Sequence, residues 1–152
     1  MDADAMLWHL EHPFTEPPKK QDVPAADEDA VRKMAEYNAM VIAMSRKMNL
    51  TGIKDAEESL VKNIYDSLTV YEEKYFPKNG RMLDLGTGAG FPGIPLAILR
   101  PDMQVVLVDS VLKKLVFIEN AAAKLGIKNI KILHIRAEEG GRRRKTRETF
   151  DM

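Results

Sequence analysis

Residues 83–93 read LDLGTGAGFPG. An apolar run here meets four glycines, Gly86, Gly88, Gly90 and Gly93, and a second apolar run, Ile94–Leu99, begins at once. Few folds accommodate this. Glycine accepts positive φ without strain and leaves backbone N–H groups bare, so the segment predicts a strand, a tight turn and a helix in immediate succession. The strand is placed at 81–85 and the helix at 92–99. Pro92 and Pro95 are tolerable in such a helix only within its first turn, where their missing N–H groups would have no intrahelical partner.

The alternation continues downstream. The stretch 104–109, QVVLVD, is nearly continuous in apolar residues, as a strand buried on both faces should be. A helix follows over 111–125, with Leu115, Ile118, Ala122 and Leu125 on its inner face and Gly126 as its stop. A third strand is placed at 129–135. Strand, helix, strand, helix, strand implies an α/β fold with a parallel sheet and right-handed crossovers.

The first half has a different rhythm. Residues 13–24 are rich in proline and charge and read as an irregular connector. From Asp27 the residues Met34, Tyr37, Val41, Met44 and Met48 recur at helical spacing as one core stripe. A second helix is placed from Asp55, where Asp55 and Glu58 resemble a capping box, and it should bury Val61, Ile64, Leu68 and Tyr71. It should stop near the turn signal at 76–80, FPKNG. The resulting division is an irregular lead-in over 1–26, a helical cap over 27–79 and a sheet-forming part over 80–152.

Two glycine fingerprints run through the same turn. Gly88, Gly90 and Gly93 match G-x-G-x-x-G, the dinucleotide pattern. Asp84, Gly86, Gly88 and Gly90 spell D-x-G-x-G-x-G, which in many methyltransferases cradles S-adenosylmethionine. Asp109 suits both readings, since it ends the second strand 19 residues past Gly90, close to the ~20 expected for a carboxylate that takes ribose hydroxyls. Register favours the methyl donor. The dinucleotide reading leaves Gly86 and the strand carboxylate Asp84 without a role, and a carboxylate inside a strand needs partners. An NAD-dependent oxidoreductase and a non-catalytic binding module of the same fold stay open as alternatives.

Composition narrows the surroundings. The chain has no cysteine, which removes disulfides and thiolate metal sites and fits a reducing interior; a cytoplasmic location is expected. No apolar run has membrane-spanning length, so no membrane partner is expected. His9, His12 and His134 lack ligand-like spacing, and no metal site is expected; His134 reads as structural. Net charge is zero over 152 residues but unevenly distributed. Residues 1–80 carry 10 basic and 15 acidic side chains, whereas residues 81–152 carry 13 and 8. The half with the glycine turn is therefore basic, a weak pointer to a polyanionic partner.

The block MLDLGTGAGFPGIPLAILRPDMQVVLVDSVLKKLVFIENAAAKLGIKNIKILHIRAEE, with MNLTGIKDAEESLVKNIYDSL ahead of it, resembles the RsmG (GidB) family, which methylates N7 of a guanine in small-subunit (16S) ribosomal RNA. The resemblance runs from about Met34 to Met152; where the family usually carries a histidine in the second helix, this chain has Asn63. It implies a Rossmann-like S-adenosylmethionine-dependent methyltransferase sheet, here three strands and the start of a fourth, behind an N-terminal helical cap. It also implies that Gly86 and Phe91 contact the donor, that Asp109 and Ser110 hold the adenosine, and that Ala137 and Glu138 flank the adenine; Asp84, Gly88 and Gly90 join Gly86 in the cradle on the D-x-G-x-G-x-G reading above. Lys113 sits where the family carries a basic residue near the site.

The RNA partner that the resemblance implies gives the free cations a meaning. Arg46, Lys47, Asn49 and Lys62 surround the helix junction of the cap, and Arg142, Arg143 and Arg144 open the densest basic run; each is a candidate for phosphate contact. No serine, histidine or metal constellation is required, because guanine N7 carries an exposed lone pair and methyl transfer to it depends on alignment. The sequence closes at Phe150–Met152, where the family enters its fourth strand. On that ground the chain alone is expected to bind the donor weakly and to turn over poorly.

Overall fold

The computed structural model describes residues 26–136. The first helix, α1 (Glu28–Ser45), starts where Asp27 accepts a 2.8 Å hydrogen bond from the Ala30 N–H. Such a cap is worth about 1 kcal/mol, and Glu28 and Asp29 in the first turn add a favourable interaction with the helix dipole. Met34, Tyr37 and Val41 are buried as the stripe requires, and Met44 and Met48 are half-buried against the same core.

The second helical stretch is built from three pieces: α2 (Ala56–Ser59), a π-helical segment (Leu60–Tyr65) and α3 (Asp66–Thr69). Asp55 caps it, accepting from the Glu58 N–H at 2.9 Å. The reciprocal half of the capping box does not form, because the Glu58 carboxylate is taken by Lys62 at 2.6 Å. Within the π segment the Asp66 N–H reaches the Val61 carbonyl, five residues back. That extra residue per turn rotates the inner face, so Ser59 and Ile64 occupy the core and Val61 is only half-buried. The helix also stops earlier than expected, at Thr69, with Val70 as its cap; a 3₁₀ turn (Glu73–Tyr75) leads to the FPKNG turn.

The α/β half follows the expected order. Strand β1 (Arg81–Leu85), helix α4 (Gly93–Leu99), strand β2 (Gln104–Asp109), helix α5 (Leu112–Leu125) and strand β3 (Ile130–His134) succeed one another. Pro92 caps α4 and Pro95 lies in its first turn, and Gly126 closes α5 in the left-handed conformation at φ 69°. The sheet is parallel in the order β1-β2-β3, with Leu83 opposite Val106 and Val106 opposite Lys131. Side chains alternate across it. Met82 and Asp84 of β1 share a face with Val105, Leu107 and Asp109 of β2, and this face carries the core to which α4 and α5 add Ile94, Leu96, Leu115 and Ile118. The two crossovers run in one direction along the sheet, so α4 and α5 lie on that side, where α1 packs over them.

Candidate functional site

The site forms where β1 and β2 end and their loops meet. Beyond Leu85 the chain turns sharply, and the N–H groups of Gly86 and Thr87 both donate to the Val108 carbonyl at 2.8 and 3.0 Å. Gly86, Gly88 and Gly90 all have positive φ, at 72°, 59° and 93°. These bonds tie the turn to the end of β2.

The four glycines serve two different purposes. At Gly86 no atom lies within 4 Å of where a Cβ would stand, and at Gly88 only the Gly86 carbonyl oxygen does, at 4.0 Å. Both therefore present bare backbone to open space. At Gly90 a Cβ would meet the Tyr37 hydroxyl at 2.3 Å, and at Gly93 it would meet Leu107 Cδ2 at 2.2 Å and Asp84 Oδ2 at 2.7 Å. These two are glycines because protein fills the space. The dinucleotide register needs its second glycine, Gly90, open to a pyrophosphate, and Tyr37 occupies that position.

Two carboxylates brace the turn. Asp84 Oδ2 accepts from Thr87 Oγ1 at 2.7 Å and from the Gly93 N–H at 2.9 Å, joining strand, turn and helix start. Burial raises the Asp84 pKa above the usual carboxylate value; the Thr87 and Gly93 hydrogen bonds oppose that shift, and the nearby Asp109 charge adds to it. Asp109 accepts from the Gly88 N–H through Oδ2 at 2.9 Å and from the Val111 N–H through Oδ1 at 2.8 Å. It thus links the glycine turn to the start of α5.

A third brace comes from the cap. Tyr37 is fully buried and donates to the Ala89 carbonyl at 2.6 Å. Its ring meets Phe91 edge-on at 5.8 Å and leans on Phe117 at 6.2 Å. Burial, with the Asp84 charge as a lesser cause, pushes its pKa far above the ordinary phenol value, so Tyr37 stays a neutral donor. In the sequence Tyr37 belongs to the core stripe, and nothing there assigns a bracing role to it or to Thr87. The available signals were a phenol within a buried stripe, which needs an acceptor, and a lone hydroxyl inside a glycine run.

The structure brings Asp84, Gly86, Gly88, Gly90, Phe91, Asp109 and Ser110 together at the carboxyl ends of β1 and β2. Gly86 and Ser110 are exposed, Gly88 and Phe91 half-buried, and Asp84, Gly90 and Asp109 buried. Leu85, Val111 and Leu112 form an exposed apolar rim beside them. His134 Nε2 lies 2.9 Å from the Ser110 carbonyl oxygen at the far end of β3. Arg46, Lys47 and Asn49 are exposed just past α1, Lys62 is exposed but paired with Glu58, and Lys113 is exposed in the first turn of α5. Ala137, Glu138, Arg142, Arg143 and Arg144 lie outside the described residues. Among the described residues no group of three or more His, Asp or Glu is placed to hold a metal ion, and no helix is long and apolar enough to cross a membrane.

The profile of the GidB family, rRNA small subunit methyltransferase G, matches residues 30–152. The chain belongs to the GidB family. A ribosomal RNA small subunit methyltransferase G of Clostridium perfringens is 40% identical over 126 residues, covering 83% of this chain and 53% of that protein. A protein of the same description from Alkaliphilus metalliredigens is 38% identical over 125 residues, covering 82% and 52%. This GidB member thus spans about half the length of the curated relatives it matches. Among solved structures, it resembles a Plasmodium falciparum protein described as a protein-L-isoaspartate O-methyltransferase in complex with S-adenosyl-L-homocysteine, at a TM-score of 0.50 and 17% identity over 93% of this chain and 68% of that one. At that identity the likeness speaks for the fold, an α/β methyltransferase-type sheet.

Proposed function

We propose that this GidB chain carries the donor-binding half of a methyltransferase that transfers a methyl group from S-adenosylmethionine to N7 of a guanine in small-subunit ribosomal RNA, in the cytoplasm. The observation that carries the reading is the open cradle: bare, positive-φ backbone at Gly86 and Gly88, with the Asp109 carboxylate beside it. The descriptions of the relatives, and the S-adenosyl-L-homocysteine held by the Plasmodium protein, point to the same donor class.

The residues present fit that donor. Gly86 and Gly88 leave room for a ligand against the backbone, the Asp109 oxygens can accept from ribose hydroxyls, and the exposed Leu85, Val111 and Leu112 offer an apolar wall to an adenine. Ser110 lies beside them, with Ala137 and Glu138 proposed to complete the adenine site. S-adenosylmethionine, when bound, supplies an electrophilic methyl group on a sulfonium. Asp84 and Asp109 place negative charge beneath a cationic ligand, and Asp84, Thr87 and Tyr37 keep the turn in its receptive shape. Guanine N7 has an in-plane lone pair and no proton to lose, so the chain's task is orientation and exclusion of water. The exposed Arg46, Lys47, Asn49, Lys62 and Lys113, together with Arg142, Arg143 and Arg144, are proposed to meet RNA phosphates.

Parallel calorimetric titrations with S-adenosylhomocysteine and NAD test the donor. Binding of the first and not the second is expected; NAD binding alone overturns the reading. Nucleoside mass spectrometry of small-subunit RNA treated with excess chain then tests the target, with 7-methylguanosine expected at low yield, as for a chain that turns over poorly; methylation at another position overturns the N7 assignment. Donor binding with no methylated nucleoside at any position would favour the non-catalytic module.

A further inference from the structure

A groove lies between α1 and α5, away from the glycine turn. Its floor is formed by Met40, Met44 and Phe117, and its rim by Lys47, Asn120 and Lys124. Each helix contributes one stripe, with positions 40, 44 and 47 on α1 and its exit and positions 117, 120 and 124 on α5, which is the i, i+3, i+4, i+7 spacing of a single helical face. The Phe117 ring touches Tyr37, whose hydroxyl holds the Ala89 carbonyl, so the floor is in direct contact with the brace of the glycine turn.

The groove is lined by two cations and no carboxylate: Lys47 and Lys124 stand on its rim in no ion pair among the described residues, and none of its lining residues is Asp or Glu. Unpaired ammonium groups above a half-buried thioether floor suit a ligand that is anionic along its backbone and flat and apolar in its side groups. That is the description of single-stranded nucleic acid. Helix α5 starts at the site, where Asp109 accepts from the Val111 N–H, and at 1.5 Å per residue Lys124 lies about 18 Å along it from Leu112. The Lys124 end of the groove is therefore turned away from the glycine turn and would hold nucleotides that flank the target.

We propose that the α1–α5 groove is an RNA subsite, in which a base rests on the half-buried Met40 and Met44 while its neighbouring phosphates contact Lys47 and Lys124. The proposal rests on the RNA reading above and adds a place for the strand. Asn120, exposed on the rim, is positioned to meet the base edge.

The full chain and its Lys47→Gln/Lys124→Gln variant are titrated with a short fluorescent single-stranded RNA over a range of salt. Both lysines are exposed, so the fold should survive, and Met44→Glu, which places a negative charge on the half-buried floor, serves as a second variant. RNA affinity should fall about tenfold in the double variant, and the log–log salt slope should become shallower by about 1.4, at about 0.7 per phosphate contact on a single strand. Met44→Glu should weaken binding as well, while S-adenosylhomocysteine binding stays at the wild-type level in both. Unchanged RNA affinity and slope in the double variant, or no RNA binding by the wild type, would overturn the subsite. Polyglutamate bound as tightly as RNA, with the same loss in the variant, would instead identify an acidic protein segment as the occupant and overturn the RNA assignment. Failure of the wild type to bind S-adenosylhomocysteine counts against the methyltransferase reading and leaves the RNA measurement to decide the groove.

Discussion

Gly86 and Gly93 sit seven residues apart in one turn, yet they predict opposite phenotypes. Alanine at Gly93 would drive its Cβ to 2.2 Å from Leu107 and 2.7 Å from an Asp84 oxygen already fixed by two hydrogen bonds, an overpacking that costs about 1–3 kcal/mol. Alanine at Gly86 meets no atom, and only its φ of 72° is penalised, by about 1 kcal/mol. Urea denaturation should therefore rank Gly93→Ala as the less stable variant, while calorimetry should find the greater loss of donor binding in Gly86→Ala. Asp84 separates in the same manner. Asparagine can still accept from Thr87 Oγ1 and the Gly93 N–H, and it removes a buried charge whose pKa is raised. Asp84→Asn should thus stay within about 1 kcal/mol of wild-type stability at neutral pH, yet bind a cationic donor more weakly. A raised folded pKa means that the ionised form is penalised in the folded state, so any stability advantage of Asp84→Asn should shrink as the pH falls below the folded pKa and vanish by the unfolded value of about 3.9. A variant that kept full donor affinity would show that Asp84 acts through the turn alone.

The elements divide by how much of their geometry a one-dimensional pattern can carry. Strands β1 and β2 match their expected bounds because a buried parallel strand is a short apolar run closed by turn residues, and RMLDL and QVVLVD are both of that form. The second cap helix carries less of its geometry in its pattern. Ile64, Leu68 and Tyr71 are buried as expected, but Ser59 takes the core place expected for Val61: Ser59 and Ile64 are five apart, a spacing the 3.6-residue period does not contain, and serine is not counted as a core former. Asp84, Gly86 and Asp109 were legible because their spacing follows from the strand–turn–helix path. Tyr37 was not, because its partner is the Ala89 carbonyl 52 residues away and only the packing of α1 over the turn brings them together. That contact is testable. Tyr37→Phe keeps the ring against Phe91 and Phe117 but leaves the buried Ala89 carbonyl without its donor, at a cost of about 1–3 kcal/mol. Donor affinity should fall with it, since the turn loses a brace; unchanged affinity beside reduced stability would assign the hydroxyl to folding only.

The molecule as a whole depends on joining the cap to the sheet, because α1, the second helical stretch, α4 and α5 all contribute to one continuous core. The connection just before β1 is held by Arg100. Its guanidinium bonds Asp102 through Nε and Nη2 at 2.8 Å each, and also reaches the Tyr71 hydroxyl at 3.0 Å and the Phe76 carbonyl at 2.9 Å. Asp102 in turn accepts from the Asn79 N–H at 2.8 Å, so a single ion pair closes the end of the cap against the sheet. The Arg100 hydrogen bonds are the largest cause holding the Asp102 pKa well below the usual carboxylate value, with the Asn79 N–H adding to them. A carboxyl group with a depressed folded pKa contributes stability that is complete above its unfolded value of about 3.9 and is lost as the pH falls towards its folded value. The urea midpoint of Asp102→Asn should therefore lie below that of the wild type at pH 7, and the gap should narrow steadily below about pH 4, where the wild-type carboxylate takes up its proton. The pair lies at the surface, with Asp102 exposed and Arg100 half-buried, but its geometry is bidentate and Arg100 is further anchored by a hydroxyl and a backbone carbonyl, so moderate salt should narrow the gap without closing it. A gap that was independent of pH would mean that Asp102 acts through packing and its Asn79 hydrogen bond, and that the charge on the clasp contributes nothing.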